Sequence, residues 1–261
     1  MHHAMLDRFA AGTTPVHRLD PAAKTVAMLA VVLATVLLDG RRPLWLLPVA
    51  LGLAVYHGVS RTPVGYTLRH LGLISPLALV MVVLFPFFEP GRPVVEWPVG
   101  AWTVRVTAEG LGRAAVLLAK FLLCSWAALL LLATTRFQDL LGGLSRLRVP
   151  RALITQLAVL YRYLWVLVDE AMHMRRARAA RDGGRGGPAL GWRSRAGVLG
   201  VLFLRSLDRA ERIYRAMAAR GFEGTFRPPP RSTGRAADWL FATAVTAAAL
   251  GLVLGERWLY G

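Results

Sequence analysis

Lysine is almost absent from this chain: of its 32 basic residues, only Lys24 and Lys120 are lysines. Neither completes a Gly-x4-Gly-Lys-Ser/Thr frame, so the chain has no phosphate loop of its own. Cysteine is scarcer still. The single Cys124 sits in the apolar run from Phe121 to Trp126, which excludes an internal disulfide framework or a cysteine metal cluster and reads as a small buried hydrophobe. Acids number 15, and Asp169-Glu170 is their only adjacent pair. There is no His-Glu-x-x-His and no Asp-Asp-x-x-Asp pattern, so a metal-dependent membrane hydrolase or isoprenoid enzyme lacks its ligands. Residues 1–21 are polar, and no cleavable signal peptide is expected.

What is present is apolar surface and arginine. Hydrophobic residues make up 55% of the chain and charged residues 18%, against about 25% charged in ordinary soluble domains. That balance excludes a disordered basic tail and disfavours a soluble enzyme. A bilayer core of about 30 Å needs roughly 20 helical residues, and five runs are candidates. Thr25–Leu38 is the shortest, with Asp20-Pro21 as a helix start and Lys24 able to snorkel. Pro43–Ser60 and Leu71–Phe88 are uncharged, the latter containing Pro76 and Pro86. Ala114–Thr135 is interrupted only by Lys120, and Trp239–Gly255 is framed by Trp239 and Trp258 as interfacial anchors.

The arginines are concentrated elsewhere. Residues 136–235 hold 20 arginines, no lysine and 7 acids, a net +13 out of the chain's +17. Arginines flank both ends of this segment, which places it and the N-terminus on the cytoplasmic side, with residues 89–109 outside. Three divisions follow: 1–135 with four membrane helices, a cytoplasmic segment 136–235, and 236–261 with the fifth.

The basic segment has helical periodicity. Over 198–217 the apolar set Leu199, Leu202, Phe203, Leu207, Ala210, Ile213, Tyr214 and Met217 opposes Arg205, Asp208, Arg209, Arg212 and Arg215. Asp208–Arg212 and Glu211–Arg215 are i,i+4 pairs with the acid first, and Gly221 stands where a left-handed C-terminal residue belongs. A second amphipathic helix starts after Pro150, with a stripe from Leu153 to Met172, and stops at Gly183-Gly184. A shorter one covers 137–147. The expected fold is therefore all-α: a polytopic membrane protein with about five transmembrane helices plus two long and one short amphipathic cytoplasmic helices.

The two long helices end alike, in Ala177-Arg-Ala-Ala-Arg181-Asp-Gly183 and Ala216-Met-Ala-Ala-Arg220-Gly221-Phe222. With Asp20-Pro21-Ala-Ala-Lys24, Leu147-Arg-Val-Pro150 and Tyr161-Arg162-Tyr163, this pattern resembles the transmembrane T component of energy-coupling factor (ECF) transporters, most of all the cobalt-type Q subunit, CbiQ. The resemblance implies two coupling helices, each docking an Ala-Arg-Gly signature into one of two ABC-type ATPase subunits. Carried over, the docking residues are Ala180, Arg181, Asp182 and Gly183, then Ala219, Arg220 and Gly221. The first signature departs from the family pattern, since Asp182 replaces the glycine, and Arg220→Glu is expected to do more damage than Arg181→Glu. Tyr161, Tyr163, Trp165 and Phe203 are candidates for contacts with a substrate-binding membrane subunit, or for packing within the chain.

The same resemblance implies a non-catalytic subunit with no cofactor of its own, ATP and Mg²⁺ being bound by the ATPases. Partners are the ATPases, a cobalt-type M subunit with a small N subunit as an optional addition, and the lipid bilayer of the inner (plasma) membrane, but no nucleic acid. His2 and His3 with the α-amino group have the chemistry for Ni²⁺, Co²⁺ or Cu²⁺, yet the family places its metal site on another subunit. No metal ligand is assigned here, nor to the scattered His17, His57, His70 and His173. Cobalt, nickel and vitamin substrates all fit. From other classes, a membrane enzyme acting on an anionic lipid phosphate needs a catalytic centre that the sequence lacks, and a nucleic-acid binder would not need arginines spaced into amphipathic faces.

Overall fold

The computed structural model describes residues 12, 14–39, 42–88, 93–99, 102–182, 188–224 and 235–260. In chain order the elements are α1 (Pro15–Arg18), α2 (Pro21–Leu37), a 3-10 turn (Pro43–Trp45), α3 (Leu46–Ser60), α4 (Val64–Phe88), β1 (Pro93–Val99), β2 (Trp102–Thr107), α5 (Ala108–Thr134), α6 (Phe137–Arg146), α7 (Arg151–Asp182), α8 (Pro188–Ala219) and α9 (Ala236–Tyr260). They form two compact units. One joins Leu6–Gly143 to Pro230–Gly261, and the other takes in Leu144–Pro229, so the division falls inside α6.

The first unit is a bundle with a lipid-facing exterior: Leu29, Leu33, Leu47, Leu51, Leu250 and Leu254 are each more than half exposed, far more apolar surface than water tolerates. The all-α, polytopic architecture expected from the sequence is the one seen, with one addition. β1 and β2 pair antiparallel, Glu96 opposite Arg105 and Val99 opposite Trp102, between α4 and α5. Their runs are rich in β-branched and aromatic residues, but residues 89–109 read as a plain external connection by charge alone.

Among the described residues four helices are long and apolar enough to cross a bilayer: Pro43–Ser60, Ala108–Thr134, Arg151–Arg181 and Ala236–Leu259. The two halves of α4, Val64–Pro76 and Ala78–Phe87, meet at 46° and make a fifth if counted as one span. Pro76 accounts for the bend, because it has no N–H to give the Gly72 carbonyl; the Ser75 hydroxyl donates to that carbonyl instead (3.3 Å). Membership of the set differs from the sequence reading. At 17 residues α2 is too short, about 26 Å at 1.5 Å per residue. Arg151–Arg181 qualifies because an average over length cannot register that its apolar residues occupy a stripe.

Two neighbours hold the C-terminal end of α2. Lys120 of α5 donates from Nζ to the carbonyls of Val36 (3.1 Å) and Leu38, and Glu256 of α9 accepts from the Asp39 amide (2.8 Å). Carbonyls that a helix end leaves orphaned are thereby satisfied without water. On its side, α2 packs against α9 through fully buried Ala23, Ala27 and Ala242, small residues that let two helices approach closely. α3 is tied to α5 by polar contacts. The Tyr56 hydroxyl meets Thr134 Oγ1 (3.2 Å), and Trp126 Nε1 donates to His57 Nδ1 (3.2 Å), leaving His57 Nε2 against the Thr62 carbonyl (3.1 Å). Between α3 and α9, over Ala27 and Ala34 of α2, lies an apolar cleft of about 330 Å³.

In the second unit α7 packs on α8, with Arg205 and Glu170 paired across the contact. Of the two i,i+4 pairs expected on α8, Glu211–Arg215 closes (3.2 Å). Among the described residues Asp208 and Arg212 form no ion pair; both line a cleft beside Leu167 and Leu202.

Candidate functional site

α8 ends as its sequence dictates. The Phe222 amide donates back to the Met217 carbonyl (3.1 Å) and the Gly221 amide to that of Ala218 (3.0 Å), while Gly221 takes φ +77°. This is a Schellman termination, in which the left-handed residue costs glycine nothing and other residues about 1–2 kcal/mol. No atom lies within 4 Å of where a Gly221 side chain would begin. The signature Ala219-Arg220-Gly221 is therefore presented open, each of its three residues exposed.

α7 ends differently. Ala180, Arg181 and Asp182 all remain helical, because aspartate at the glycine position does not favour the left-handed turn that stops α8. Arg181 is thus in the last turn of its helix, whereas Arg220 lies just beyond the end of α8. Gly183 and Gly184 fall outside the described residues, as do the Asp182 side chain, His2 and His3. Among the described residues, neither Arg181 nor Arg220 pairs with a carboxylate. Both are exposed, and both are positioned where the helix dipole favours a cation by about 0.3–1 kcal/mol. A guanidinium free on a rigid helix end is suited to a bidentate carboxylate partner.

The turn before α7 repeats the geometry of α8's end with an unexpected residue. The amides of Arg148 and Val149 donate to Ser145 and Leu144 (3.3 Å each), and Arg148 sits at φ +61°. Pro150 then accepts from Leu153 (3.0 Å) to start α7.

The four aromatics proposed for partner contacts separate by exposure. Tyr161, Tyr163 and Trp165 are half-buried, while Phe203 is 62% exposed. Phe203 belongs to an uncovered apolar set on α8 with Leu199, Leu204, Leu207 and Tyr214. On α7, Leu153, Leu157, Leu160 and Leu164 are likewise exposed.

Sequence reasoning assigned little to Lys24 beyond a snorkelling role. It is 1% exposed and points inward, with Nζ donating to the carbonyl of Thr134 at the end of α5 (3.0 Å). The charges acting on it come from Asp139, Asp20 and Asp238, a set that only the folded chain brings together. The Asp20-Pro21-x-x-Lys24 spacing is the one signal in the sequence that points to it.

Comparison with known proteins agrees with this arrangement. The family described as CbiQ, cobalt transport protein, matches residues 12–230. The chain is 29% identical to the energy-coupling factor transporter transmembrane protein EcfT of Lactococcus lactis, over 86% of each chain. It is 28% identical to EcfT of Listeria innocua, over 98% of this chain and 97% of that one. With the cobalt transport protein CbiQ of Rhodobacter capsulatus it shares 35% identity, over 60% of this chain and 65% of the relative. The Asp-Pro-x-x-Lys start, both basic helix ends and every bundle helix but α9 lie inside the matched region, and the chain belongs to the CbiQ family, the transmembrane components of energy-coupling factor transporters.

Proposed function

We propose that this chain is the energy-coupling subunit of an ATP-driven importer for cobalt or nickel ions, passing motion from two ATPase subunits to a substrate-binding membrane subunit. The observation that carries the reading is the end of α8: an exposed, unpaired Arg220 fixed by a Schellman turn at Gly221. With α7 it makes a pair of levers, each of 32 residues, about 48 Å long. Rigid helices transmit a rigid-body movement better than loops do. Arg181 and Arg220 each engage a carboxylate-bearing groove on one ATPase, and Ala180 and Ala219 beside them leave room for close approach. ATP and Mg²⁺ are held by those ATPases, and this chain performs no bond chemistry.

The exposed stripe containing Phe203 fits a membrane partner that carries the metal site. The arginine flanks of residues 136–235 support a cytoplasmic position for α6–α8 and the N-terminus. α7, with Arg162 at its middle and four arginines in its last turns, belongs there too, since a central arginine is costly in lipid. A vitamin importer of the same family uses the same coupling parts, and cobalt is favoured by the CbiQ match.

The test is co-purification with the ATPase, together with cobalt uptake, for wild type, Arg181→Glu and Arg220→Glu. Arg220→Glu is expected to lose both, and Arg181→Glu to lose less, because helical Asp182 follows Arg181 where Gly221 follows Arg220. Intact complex and uptake in both variants would refute the coupling role.

A further inference from the structure

Among the described residues Lys24 is the most deeply buried charge in the bundle. Its Nζ donates to the Thr134 carbonyl, where α5 ends. The carboxylates whose charge acts on it belong to three helix starts. Asp20 (2% exposed) precedes α2, Asp139 is in the first turn of α6, and Asp238 (8% exposed) is in the first turn of α9. Asp238 Oδ2 accepts from the Arg235 amide (3.0 Å), closing the start of α9. Three carboxylates around one lysine leave excess negative charge, and the three helix N-termini, each about half a positive charge, offset much of it. The geometry is close as well as charged. A side chain on Gly143 of α6 would begin 2.8 Å from the Ala22 amide nitrogen and 3.0 Å from the Pro21 carbonyl carbon, so α6 is seated directly on the first turn of α2.

Two of these helices, α6 and α9, lie on the chain's two routes between the units. It passes into the coupling unit through α6, at Leu144, and returns after Pro229 to begin α9. Both routes therefore meet the first turns of α2, α6 through Gly143 against Pro21 and Ala22 and α9 through Ala242 against Ala23 and Ala27, while Lys24 on the same turns holds the end of α5. We propose that Lys24, with Asp20, Asp139 and Asp238, is the joint through which movement of the coupling unit is passed to membrane helices α2 and α9. Lys24 is a positioning residue: it touches neither ATPase nor metal, and acts by keeping α6 and α9 moving with α2 and α5. The inference rests on the coupling function proposed above.

The experiment reconstitutes this chain with its ATPase and substrate-binding subunits in proteoliposomes and measures cobalt taken up per ATP hydrolysed. Lys24→Met is expected to assemble and hydrolyse ATP within about twofold of wild type while uptake per ATP falls about tenfold, within the range of coupling energies. Asp139→Asn gives a smaller loss of the same ratio, and Lys24→Arg restores at least half of it. An unchanged ratio in Lys24→Met and Asp139→Asn overturns the joint. So does a parallel loss of assembly, hydrolysis and uptake in Asp139→Asn, which would assign the cluster to folding alone. A wild-type chain that binds no ATPase would instead refute the coupling function itself.

Discussion

Replacing Gly221 by alanine isolates the conformational part of the docking signature. At φ +77° with nothing within 4 Å of the new methyl, the substitution meets no steric obstacle, and its whole cost is that of a left-handed alanine, about 1–2 kcal/mol. α8 then either bears that strain or extends helically, as α7 does through Asp182. If docking requires the Schellman form, the competent fraction falls by about 5- to 30-fold and the apparent affinity for the ATPase falls with it. Binding of the purified ATPase to immobilised chain in detergent measures this directly. The reciprocal change, Asp182→Gly, permits the left-handed turn at the end of α7 and is expected to raise affinity at that site by a similar factor. Unchanged binding in Gly221→Ala, with binding lost in Arg220→Glu, would refute the claim that backbone geometry presents the arginine.

Other substitutions probe the bundle and the partner surface. Lys120→Met removes the donor to the Val36 and Leu38 carbonyls and is expected to cost about 1.5–3 kcal/mol, seen as a lowered thermal midpoint in detergent; an unshifted midpoint would mean that α2's end is satisfied otherwise. Gly143→Ala forces backbone against backbone at α2 and is expected to destabilise by about 1–3 kcal/mol, whereas Gly142→Ala, with open space around it, is expected to be neutral in the same melt. Phe203→Glu, on an exposed position, is expected to leave the melt unchanged while weakening recovery of the substrate-binding subunit; equal recovery would move that contact off α8.

Much of the fold is legible in the sequence because membrane burial and helical periodicity are one-dimensional signals. α3 and α9 follow from uncharged runs, α5 from an apolar run broken only by Lys120, and α8 from its alternation of apolar and arginine faces. The end of α8 is legible to the residue, since Gly221 is the left-handed cap that its spacing demands. What escapes depends on partners distant in the chain. The shortness of α2 makes sense only when Lys120 and Glu256 arrive from α5 and α9, and Lys24 snorkels in a lone helix but turns inward when Asp139 and Asp238 are near. The hairpin at 93–107 escapes because charge and hydropathy counts do not register strands.

The central claim is that the two helix ends meet an ATPase, and proximity tests it most directly. In a Cys124→Ser background, Ala180→Cys and Ala219→Cys place one reactive thiol beside each signature arginine on an exposed position. With a short thiol-to-amine cross-linker in membranes containing the assembled complex, both variants are predicted to give an adduct of this chain with the ATPase, that from position 219 in the higher yield. Adducts with lipid or with the substrate-binding subunit alone, at both positions, would contradict the account.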